Sequence, residues 1–451
     1  MAEETDRPRR REGSLPGSAF ARGAKLASLP VGFAGRTALG MGRRLGGAPA
    51  DAVLTEVQRR TAEQIFSVLG QLKGGAMKFG QAMSIFEAAL PDEIAGPYRE
   101  TLTKLQDAAP PMPPSVVHRA LATHLGDDWR ELLVEIDDEP AAAASIGQVH
   151  RGRWHDGREV AVKIQYPGAA KALRSDLKQL ARLSRMFGVV APGLDVKPLI
   201  AELQDRVNEE LDYQLEAASQ QAFHEAYADD PVVSVPAVVH ASDAVLVTEW
   251  MNSKGSLAGI IKDGTKDERD HYGELYVRFL LEGPRRAGLM HADPHPGNFR
   301  VLPDGRMGVV DFGAVAQLPD GLPPAIGPLL RSAIDGDAEA VSEGLRDEGF
   351  LRPGTSIDAD VLAAYIGPFV EPATVDRFTF SREWLRSQTQ RLGTPGSEGF
   401  STSMRINLPP EYLLIHRVWL GGVGVLCQLG ATAPFTAILE ENIPGFAAAD
   451  A

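Results

Sequence analysis

The amino-acid sequence predicts an α+β fold with two lobes, a β-rich lobe followed by a larger helical lobe, and a helical extension in front of them. Three changes of hydrophobic pattern support this prediction. Apolar residues recur three and four positions apart over residues 56–90, alternate with polar residues after Pro140, and return to a helical spacing from Asp267 onward. A chain of 451 residues, 44% of them hydrophobic, can bury a core in each lobe.

The composition excludes several classes of protein. Sixty acidic and 46 basic residues give a net charge of −14, which argues against a protein whose main role is to hold nucleic acid. The single cysteine, Cys427, excludes a disulfide framework and a Cys-based zinc site. We therefore expect a reducing, cytoplasmic environment.

Both ends of the chain bear on membrane contact. Residues 1–50 carry nine Lys or Arg against four acids and hold no continuous apolar core, which predicts a flexible basic arm and no signal peptide. Such an arm could touch an anionic membrane as a peripheral contact, at ~1 kcal/mol for each nearby basic side chain, or it could stay solvated. Residues 418–439 are uncharged but include glycines and Pro434, which favours a buried helix with a break near its end over a membrane span.

The helical extension is assigned to residues 51–130. Its amphipathic pattern over residues 56–90 predicts a helical hairpin that breaks at Gly74 and Gly75. A proline-rich linker then leads to a further helix, from Ser115 to about Leu125.

The β-rich lobe is assigned to residues 131–250 and the helical lobe to residues 251–451. In the first lobe, a His-Asp-Gly sequence predicts a tight turn between two strands. The predicted strands are 148–154, 159–165, 232–239 and 244–250, and the predicted helices are 169–187 and 197–227. In the second lobe, a loop near residues 290–315 that is rich in His, Asp, Pro and Gly interrupts the helices.

The strongest chemical signal is HADPHPGN at residues 291–298, followed by Asp-Phe-Gly at residues 311–313. Phosphoryl transfer needs a divalent metal held against the phosphates and a carboxylate beside the attacking hydroxyl. Asp293 is the candidate base or hydroxyl-orienting group, and Asn298 and Asp311 offer hard oxygen ligands for Mg2+. The alternative is that these are ordinary turn residues. Zinc is disfavoured because the two histidines have no third soft donor in the loop.

A second signal is Val-Ala-Val-Lys at residues 160–163. A lysine in an apolar strand would direct its ammonium into a cleft, where Lys163 can bind phosphate oxygens if a carboxylate holds it. Taken alone, Lys163 could equally be a solvated lysine on an edge strand. The strand over residues 245–249 should enter a hinge whose backbone, at Glu249, would meet adenine.

The carboxylate partner of Lys163 is sought on the acidic helix that carries Glu209, Glu210, Asp212 and Glu216. At about 3.6 residues per turn, Glu209, Asp212 and Glu216 would share one face, and Glu210 would point roughly away from Asp212. Four acids so close together are also typical of a solvated helix face, so the spacing alone leaves the choice open.

A phosphate-covering loop would lie just before the first strand of the hairpin. The candidate nucleotide contacts there are Ala143, Ala144, Ser145, Ile146 and Gly147. Glycine lets backbone N–H groups approach phosphate, whereas alanine restricts that approach. The pattern therefore weakens the prediction of a plain kinase and favours altered phosphate handling, with an alanine-rich helix start as the alternative.

Together these motifs resemble the UbiB (AarF) family of atypical, protein-kinase-like proteins, whose best-known members support ubiquinone biosynthesis. The resemblance extends over roughly residues 60–345 and includes Lys-Phe-Gly-Gln at residues 78–81. It implies a protein-kinase-like two-lobed fold whose helical extension folds over the active site and occupies the space of a protein substrate. The implied pairings are Lys78 with Glu210 and Asp212, Glu216 with Lys163, and Asn298 with Asp311 around Mg2+, with Gln81 completing the motif of the extension.

The predicted function is binding of ATP or ADP with Mg2+ in the cleft between the lobes. The expected reaction is ATP hydrolysis or phosphorylation of a small or lipid-linked acceptor, in support of isoprenoid quinone or lipid metabolism. One alternative is a conventional Ser/Thr protein kinase, although the stretch after Ala314 is short and lacks Ala-Pro-Glu. The other is a nucleotide-dependent, chaperone-like module that binds lipid precursors with little catalysis.

Overall fold

The computed structural model describes residues 111–144, 146–171, 174, 208, 211–351, 354–393, 398–403 and 405–447. The elements below lie in one compact unit made of residues 77–169 and 205–451. The predictions for residues 1–110, and most of those for residues 169–210, fall outside the described residues. The boundaries assigned to the four parts of the chain remain predictions.

The elements up to the end of the β-rich lobe are α1 Pro114–Leu125, α2 Trp129–Leu132, β1 Leu133–Ile136, β2 Ala142–Ala144, β3 Gly147–Trp154, β4 Glu159–Gln165, α3 Tyr213–Ala226, β5 Val233–Ser234, β6 Val238–Ala241 and β7 Val245–Glu249. The next group is β8 Gly255–Ser256, α4 Leu257–Asp263, α5 Lys266–Ala287, β9 Leu289–His291, a 3₁₀ turn Pro296–Asn298, β10 Phe299–Val301, β11 Met307–Val309 and β12 Val315–Gln317. The last group is α6 Ile326–Asp335, α7 Ala338–Asp347, α8 Ala359–Val370, a 3₁₀ turn Glu371–Ala373, β13 Phe378–Thr379, α9 Arg382–Gly393, α10 Glu398–Ser403, α11 Pro410–Leu429, β14 Thr432–Ala433 and α12 Phe435–Asn442.

The β-rich lobe is built on an antiparallel sheet in the order β1-β3-β4-β7-β6, with β2 paired to the free side of β3 near its start. The first two predicted strands are confirmed as β3 and β4. The turn between them places Gly157 at φ 91°, a conformation that glycine adopts without steric cost. The helix predicted after the proline-rich linker is confirmed as α1.

The two faces of β4 have different roles. Val160, Val162 and Ile164 are buried and pack in one cluster with the apolar side of α1. Ala161 and Lys163 alternate with them and therefore lie on the opposite face of the sheet. The predicted strand thus places its lysine on the face away from the core of this lobe.

A buried polar chain crosses the core side of β3. The side-chain carbonyl of Gln148 accepts a hydrogen bond from the backbone N–H of Met112 at 2.8 Å, so its amide nitrogen faces Nε2 of His150 at 2.7 Å. Nδ1 of His150 donates to the carbonyl of Asp137 at 2.7 Å. Nε2 must therefore accept, and only the neutral imidazole can satisfy both neighbours.

The pKa of His150 in the folded protein lies below its ordinary value of 6.5, because burial disfavours the imidazolium more than the Asp137 carbonyl favours it. Below pH 6.5, His150 therefore binds more protons in the unfolded chain than in the folded one. This contribution to stability is present above that pH and is lost as the pH falls towards the lowered pKa.

We expect His150→Gln to flatten the pH dependence of unfolding. Between about pH 7.5 and about pH 5.5 the Tm of the wild type should fall further than that of the variant, because the variant has no proton to bind at this position. At the higher pH the variant itself should be less stable by about 1 kcal/mol for disturbed hydrogen bonds. Thermal unfolding at both pH values measures this, with the exposed turn residue His155→Gln as control. Parallel pH profiles for wild type and His150→Gln would contradict the assignment.

The predicted continuous helix over residues 197–227 is wrong at Asp212. This residue has extended backbone angles, φ −101° and ψ 91°, and its carboxylate accepts hydrogen bonds from the N–H groups of Gln214 and Leu215, both at 3.1 Å. It is the N-cap of α3, which begins at Tyr213. The helical-face argument that placed Asp212 beside Glu216 therefore fails, because an N-cap does not follow the helical repeat.

The helical lobe packs around α5, which begins with a capping box formed by Thr265 and Glu268 and ends before Gly288 at φ 65°. Two small strand pairs lie against this helix. β10 and β11 form an antiparallel hairpin, flanked by β8 and by β5, and β9 pairs with β12. These short strands carry the loop predicted to be chemically active.

The uncharged segment near the C-terminus forms most of α11, which ends at Leu429 before Gly430 at φ 64°. Pro434 then precedes α12. The prediction of a buried helix with a break is confirmed in these residues. Within the described part of the chain, the stretch Glu411–Leu429 is long and apolar enough to cross a membrane by length and composition, and 56% of its apolar window is buried in the structure.

Candidate functional site

The predicted ion pair between Lys163 and Glu216 is present. Nζ of Lys163 lies 2.6 Å from Oε1 of Glu216 and 3.5 Å from Oδ1 of Asp311. The Glu216 side chain is only 2% exposed, and Lys163 is 14% exposed. Burial alone would lower the pKa of Lys163, but the charges of Asp311 and Glu216 outweigh it, and the pKa lies well above the ordinary value. The ammonium is therefore fully charged at neutral pH.

Local structure explains how Glu216 reaches the sheet. The cap at Asp212 fixes where α3 begins and puts Glu216 in its first turn, where the helix dipole favours a negative charge. The ring of Tyr213, at the first position of the helix, lies 5.2 Å from the Lys163 ammonium. A Cβ at Gly313 would come within 3.4 Å of Oε2 of Glu216, so the backbone after Asp311 passes close to this carboxylate.

Asp311 is held in a strained conformation at the end of the β10–β11 hairpin. Its φ is 71°, the one positive value at a non-glycine position among the described residues. Its backbone carbonyl accepts a hydrogen bond from Nε2 of His291 at 2.9 Å, and its Oδ1 accepts from the N–H of Gly313 at 3.2 Å. The N–H of Val310 donates to the carbonyl of Asn298 at 2.9 Å. Strain of about 1–3 kcal/mol persists only where such contacts enforce it.

The loop that carries Asp293 is tied to the same hairpin. Asp293 is buried, at 6% exposure for the whole residue, and its Oδ1 accepts from the N–H of His295 at 3.3 Å. Its carbonyl accepts from Nδ2 of Asn298 at 3.4 Å. The N–H of Ala292 donates to the carbonyl of Ala314 at 2.9 Å, which joins this loop to the segment after Asp311. The structure thus brings Asp293, Asn298, Asp311, Lys163 and Glu216 into one region.

Asn298 and Asp311 carry the kind of oxygen donors that could hold Mg2+. Because Nδ2 of Asn298 is used as a donor to Asp293, its amide oxygen points away from that bond and can act as a ligand. Mg2+ is commonly held by one or two protein oxygens, with water and phosphate oxygens completing the octahedron. Residues 111–447, as far as they are described, contain no cluster of three or more His, Cys, Asp or Glu side chains that could hold a metal without such help.

The alanine-rich segment is a β-hairpin. Ala144 pairs with Gly147, and Ser145 lies outside the described residues. The register places Ala144 on the sheet face of Lys163 and Ala143 on the opposite face, while Ile146 is buried. The alternative of an alanine-rich helix start is wrong, because Ala142–Ala144 is a strand.

Gly147 has a packing role that the sequence pattern did not predict. A Cβ at this position would lie 2.1 Å from the carbonyl oxygen of Ile164 in β4. The missing side chain therefore lets β3 and β4 approach each other, and it does not by itself indicate contact with phosphate.

Glu249 lies at the end of β7, where the chain leaves the sheet. Its N–H donates to the carbonyl of Ala237 at 2.9 Å, and its side chain is 3.4 Å from Arg158. The N–H of Trp250 donates to the carbonyl of Glu159 at 2.9 Å. Any backbone N–H group of this segment that donates a hydrogen bond to adenine therefore has to come from a residue after Trp250.

The remaining predicted site residues are not brought together by the described structure. Lys78, Gln81 and Glu210 lie outside the described residues. Asp212 uses its Oδ1 to cap α3. Its predicted engagement with Lys78 remains a prediction.

Comparison with known proteins places this site in a family. The ABC1 atypical kinase-like domain matches residues 104–345, which is more than half of the chain and includes all the described site residues. The chain belongs to the ABC1 atypical kinase-like family. The resemblance inferred from the motifs is thereby confirmed, and so is the α+β, protein-kinase-like fold.

Several relatives of this ABC1 kinase-like chain are named atypical kinases. It is 29% identical to the mitochondrial atypical kinase coq-8 of Caenorhabditis elegans over 96% of its own length and 58% of that protein. It is 32% identical to the mitochondrial atypical kinase COQ8B of Rattus norvegicus over 76% of its own length and 65% of that protein. The chain thus spans less than two thirds of these curated relatives.

A solved structure resembles the chain more closely. It is the Rv3197–erythromycin complex from Mycobacterium tuberculosis, which is 45% identical, with a TM-score of 0.70. The similarity covers 89% of this chain and all of the solved one.

Two contacts of the Asp293 loop were missed from the sequence. The hydroxyl of Tyr276 in α5 donates to the carbonyl of Pro294 at 2.8 Å, and burial together with the charge of Asp293 raises the pKa of this tyrosine well above its ordinary value. On the other side, a Cβ at Gly421 in α11 would lie 2.5 Å from Cγ of Pro294. Pro294 is therefore held between two helices. The Leu-Gly-Gly sequence at residues 420–422 inside a long apolar helix was the available signal.

We expect Gly421→Ala to loosen this loop. A proline ring cannot swing aside, so the added methyl should push the loop or α11 away and lower stability by about 1–3 kcal/mol. Chemical unfolding measures the stability, and amide exchange over residues 291–298 measures the local loosening.

Gly422→Ala is the matched control for this substitution. Its Cβ would lie 3.1 Å from a terminal methyl of Leu280, a flexible side chain that can turn away. The gain in helix propensity, about 1 kcal/mol, should then leave the control neutral or slightly more stable. Equal stability and equal exchange in the two variants would contradict the role of Gly421.

Proposed function

We propose that this chain is an atypical kinase or ATPase that binds ATP or ADP with Mg2+ and hydrolyses ATP or phosphorylates a small or lipid-linked acceptor. The observation that carries the proposal is the convergence of Lys163, Glu216 and Asp311 within hydrogen-bond and ion-pair distance beside the loop of Asp293 and Asn298. Family membership and the names of the relatives support it.

Each side chain has a distinct role in this proposal. Lys163, held by Glu216, aligns the phosphates through its permanent charge. Asn298 and Asp311 hold Mg2+, which when bound neutralises the negative charge on the phosphate oxygens. Asp293 orients water or an acceptor hydroxyl and accepts its proton as the new P–O bond forms. ADP then leaves with the electron pair of the broken P–O bond.

A small or lipid-linked acceptor is favoured over a protein. The segment from Gly313 to the start of α6 at Ile326 is short and contains only β12 as regular structure, which leaves little chain for a peptide-binding activation segment. The solved relative is a complex with erythromycin, an organic molecule and not a protein. Binding of such a molecule by this chain would agree with a small or lipid-linked acceptor. We further propose that this activity supports isoprenoid quinone or lipid metabolism, on the ground of the resemblance to the UbiB family.

A nucleotide-dependent binding module is the second candidate. The Ala142–Ala144 strand favours this candidate. It lies where a loop would cover the phosphates of the nucleotide, and alanines there leave the backbone less conformational freedom than glycines would. Peripheral membrane contact through the basic arm is a further part of the proposal, and that arm lies outside the described residues.

Asp293→Asn separates catalysis from binding. We expect ATP turnover to fall by about 10²–10⁴-fold, because the amide cannot accept the proton, while binding of MgADP stays unchanged. Steady-state phosphate release with and without lipid-like amphiphiles measures turnover, and calorimetry measures binding. Equal turnover in the two proteins would eliminate the catalytic role and leave the binding module.

Asp311→Asn tests the metal. Asparagine tolerates a positive φ at least as well as aspartate, so the backbone should be retained. We expect the affinity for ADP in Mg2+ to fall by about tenfold or more, towards the value of the wild type in EDTA. Asp304→Asn, on the exposed turn of the same hairpin, is the matched control. An undiminished effect of Mg2+ in Asp311→Asn would contradict the ligand assignment.

A further inference from the structure

Arg300 occupies an unusual position in the β10–β11 hairpin. Phe299 is fully buried in the core of the helical lobe and has extended backbone angles, φ −110° and ψ 124°. The residues on either side of it, Asn298 and Arg300, therefore emerge together on the opposite face of the strand. The arginine shares its face with the candidate metal ligand.

The neighbour of Arg300 across the hairpin fixes where its side chain lies. Arg300 is paired with Gly308, and a Cβ at Gly308 would lie 2.0 Å from Sδ of Met251. Met251 therefore packs on the hairpin directly beside Arg300. Because Met251 follows β7, the guanidinium lies beneath the segment that links the two lobes.

The same segment supplies the polar contact of the guanidinium. Nε and Nη2 of Arg300 donate to the hydroxyl of Ser253 at 3.1 Å and 2.9 Å. Among the described residues, no carboxylate lies within ion-pair distance of Arg300. By contrast, Arg306 on the turn of the hairpin is 2.8 Å from Asp304.

A partly buried cation with only a neutral partner is unfavourable for the protein alone, because desolvation of the charge is not compensated by an anion. A ligand beside it would supply the missing interaction. The phosphate end of the proposed nucleotide lies at Lys163, Asp311 and Asn298. Arg300 is one step of about 7 Å along the strand from Asn298, towards the linking segment. This is where the ribose and base of the same nucleotide would lie.

We propose that the guanidinium of Arg300 forms the floor of the nucleoside pocket and stacks on the purine of the bound adenine nucleotide, an inference that rests on the proposed nucleotide-binding function. A planar, delocalised guanidinium stacks on aromatic rings, whereas a phosphate contact would call for a position beside the metal ligands. Ser253 positions the guanidinium by accepting two of its N–H groups.

The test is Arg300→Met, which keeps a long side chain and removes the charge and the planar group. Binding of MgATP and MgADP is measured by calorimetry, and binding of adenosine is measured by competition. We expect all three to weaken by about fivefold to thirtyfold, since the contact is with the part they share. The Tm of the ligand-free variant should equal or exceed that of the wild type, because an uncompensated charge has been removed.

Arg306→Met, on the same hairpin, is the matched control and should bind all three ligands like the wild type. The inference is overturned if Arg300→Met binds them with unchanged affinity, if only MgATP weakens, or if the ligand-free Tm falls together with affinity. Failure of the wild type to bind any adenine nucleotide would instead overturn the proposed function. The two failures are therefore distinguishable.

Discussion

The contact between Lys163 and Glu216 is the constraint on which the arrangement of the site depends. Each of these ions loses several kcal/mol of hydration on burial, and only close opposite charges and hydrogen bonds offset that loss. Lys163 comes from the sheet and Glu216 from α3, at 2.6 Å between the charged atoms. The helix and the sheet can therefore shift relative to each other only by leaving a buried charge without its partner.

Carboxylates gather around the ammonium of Lys163 in this site. Lys163 faces two carboxylates, Glu216 and Asp311, and Asp293 adds a third nearby on the connected loop. Carboxylate oxygens are hard ligands, which a divalent cation such as Mg2+ prefers. The charges of Asp311 and Glu216 keep Lys163 protonated, so its role is electrostatic and it does not act as a base.

The sequence predicted those parts of the site that depend on local pattern. The alternation in β4 predicted the face of Lys163, and the spacing from Asn298 to Asp311 predicted a short hairpin, because both rest on interactions between residues close in the chain. The prediction that Asp212 lies within the helix was wrong, because an acidic residue inside a helix and an acidic N-cap cannot be told apart in the sequence until the start of the helix is known. The choice of Glu216 rested partly on the family resemblance, since Glu209, Asp212 and Glu216 shared one predicted helix face and the spacing did not choose among them.

Long-range packing was beyond the sequence for a different physical reason. The approach of Gly147 to Ile164 depends on how closely two strands pack, and the clamp on Pro294 depends on a helix that follows it by more than a hundred residues. A glycine in a sequence shows that a side chain is missing, but only the folded chain shows which atom fills the space. Arg300 was missed for the same reason, since only the folded hairpin shows that no carboxylate of the described residues lies within ion-pair distance of it.

The position of Gly421 has a consequence for what counts as a domain in this protein. The stretch that matches the family ends at residue 345, yet α11, at Pro410–Leu429, is one of the two helices that hold Pro294. A chain truncated at the family boundary would lose this helix and expose the apolar side of α5. The stretch matched by the family model is therefore shorter than the compact unit in which its site is packed.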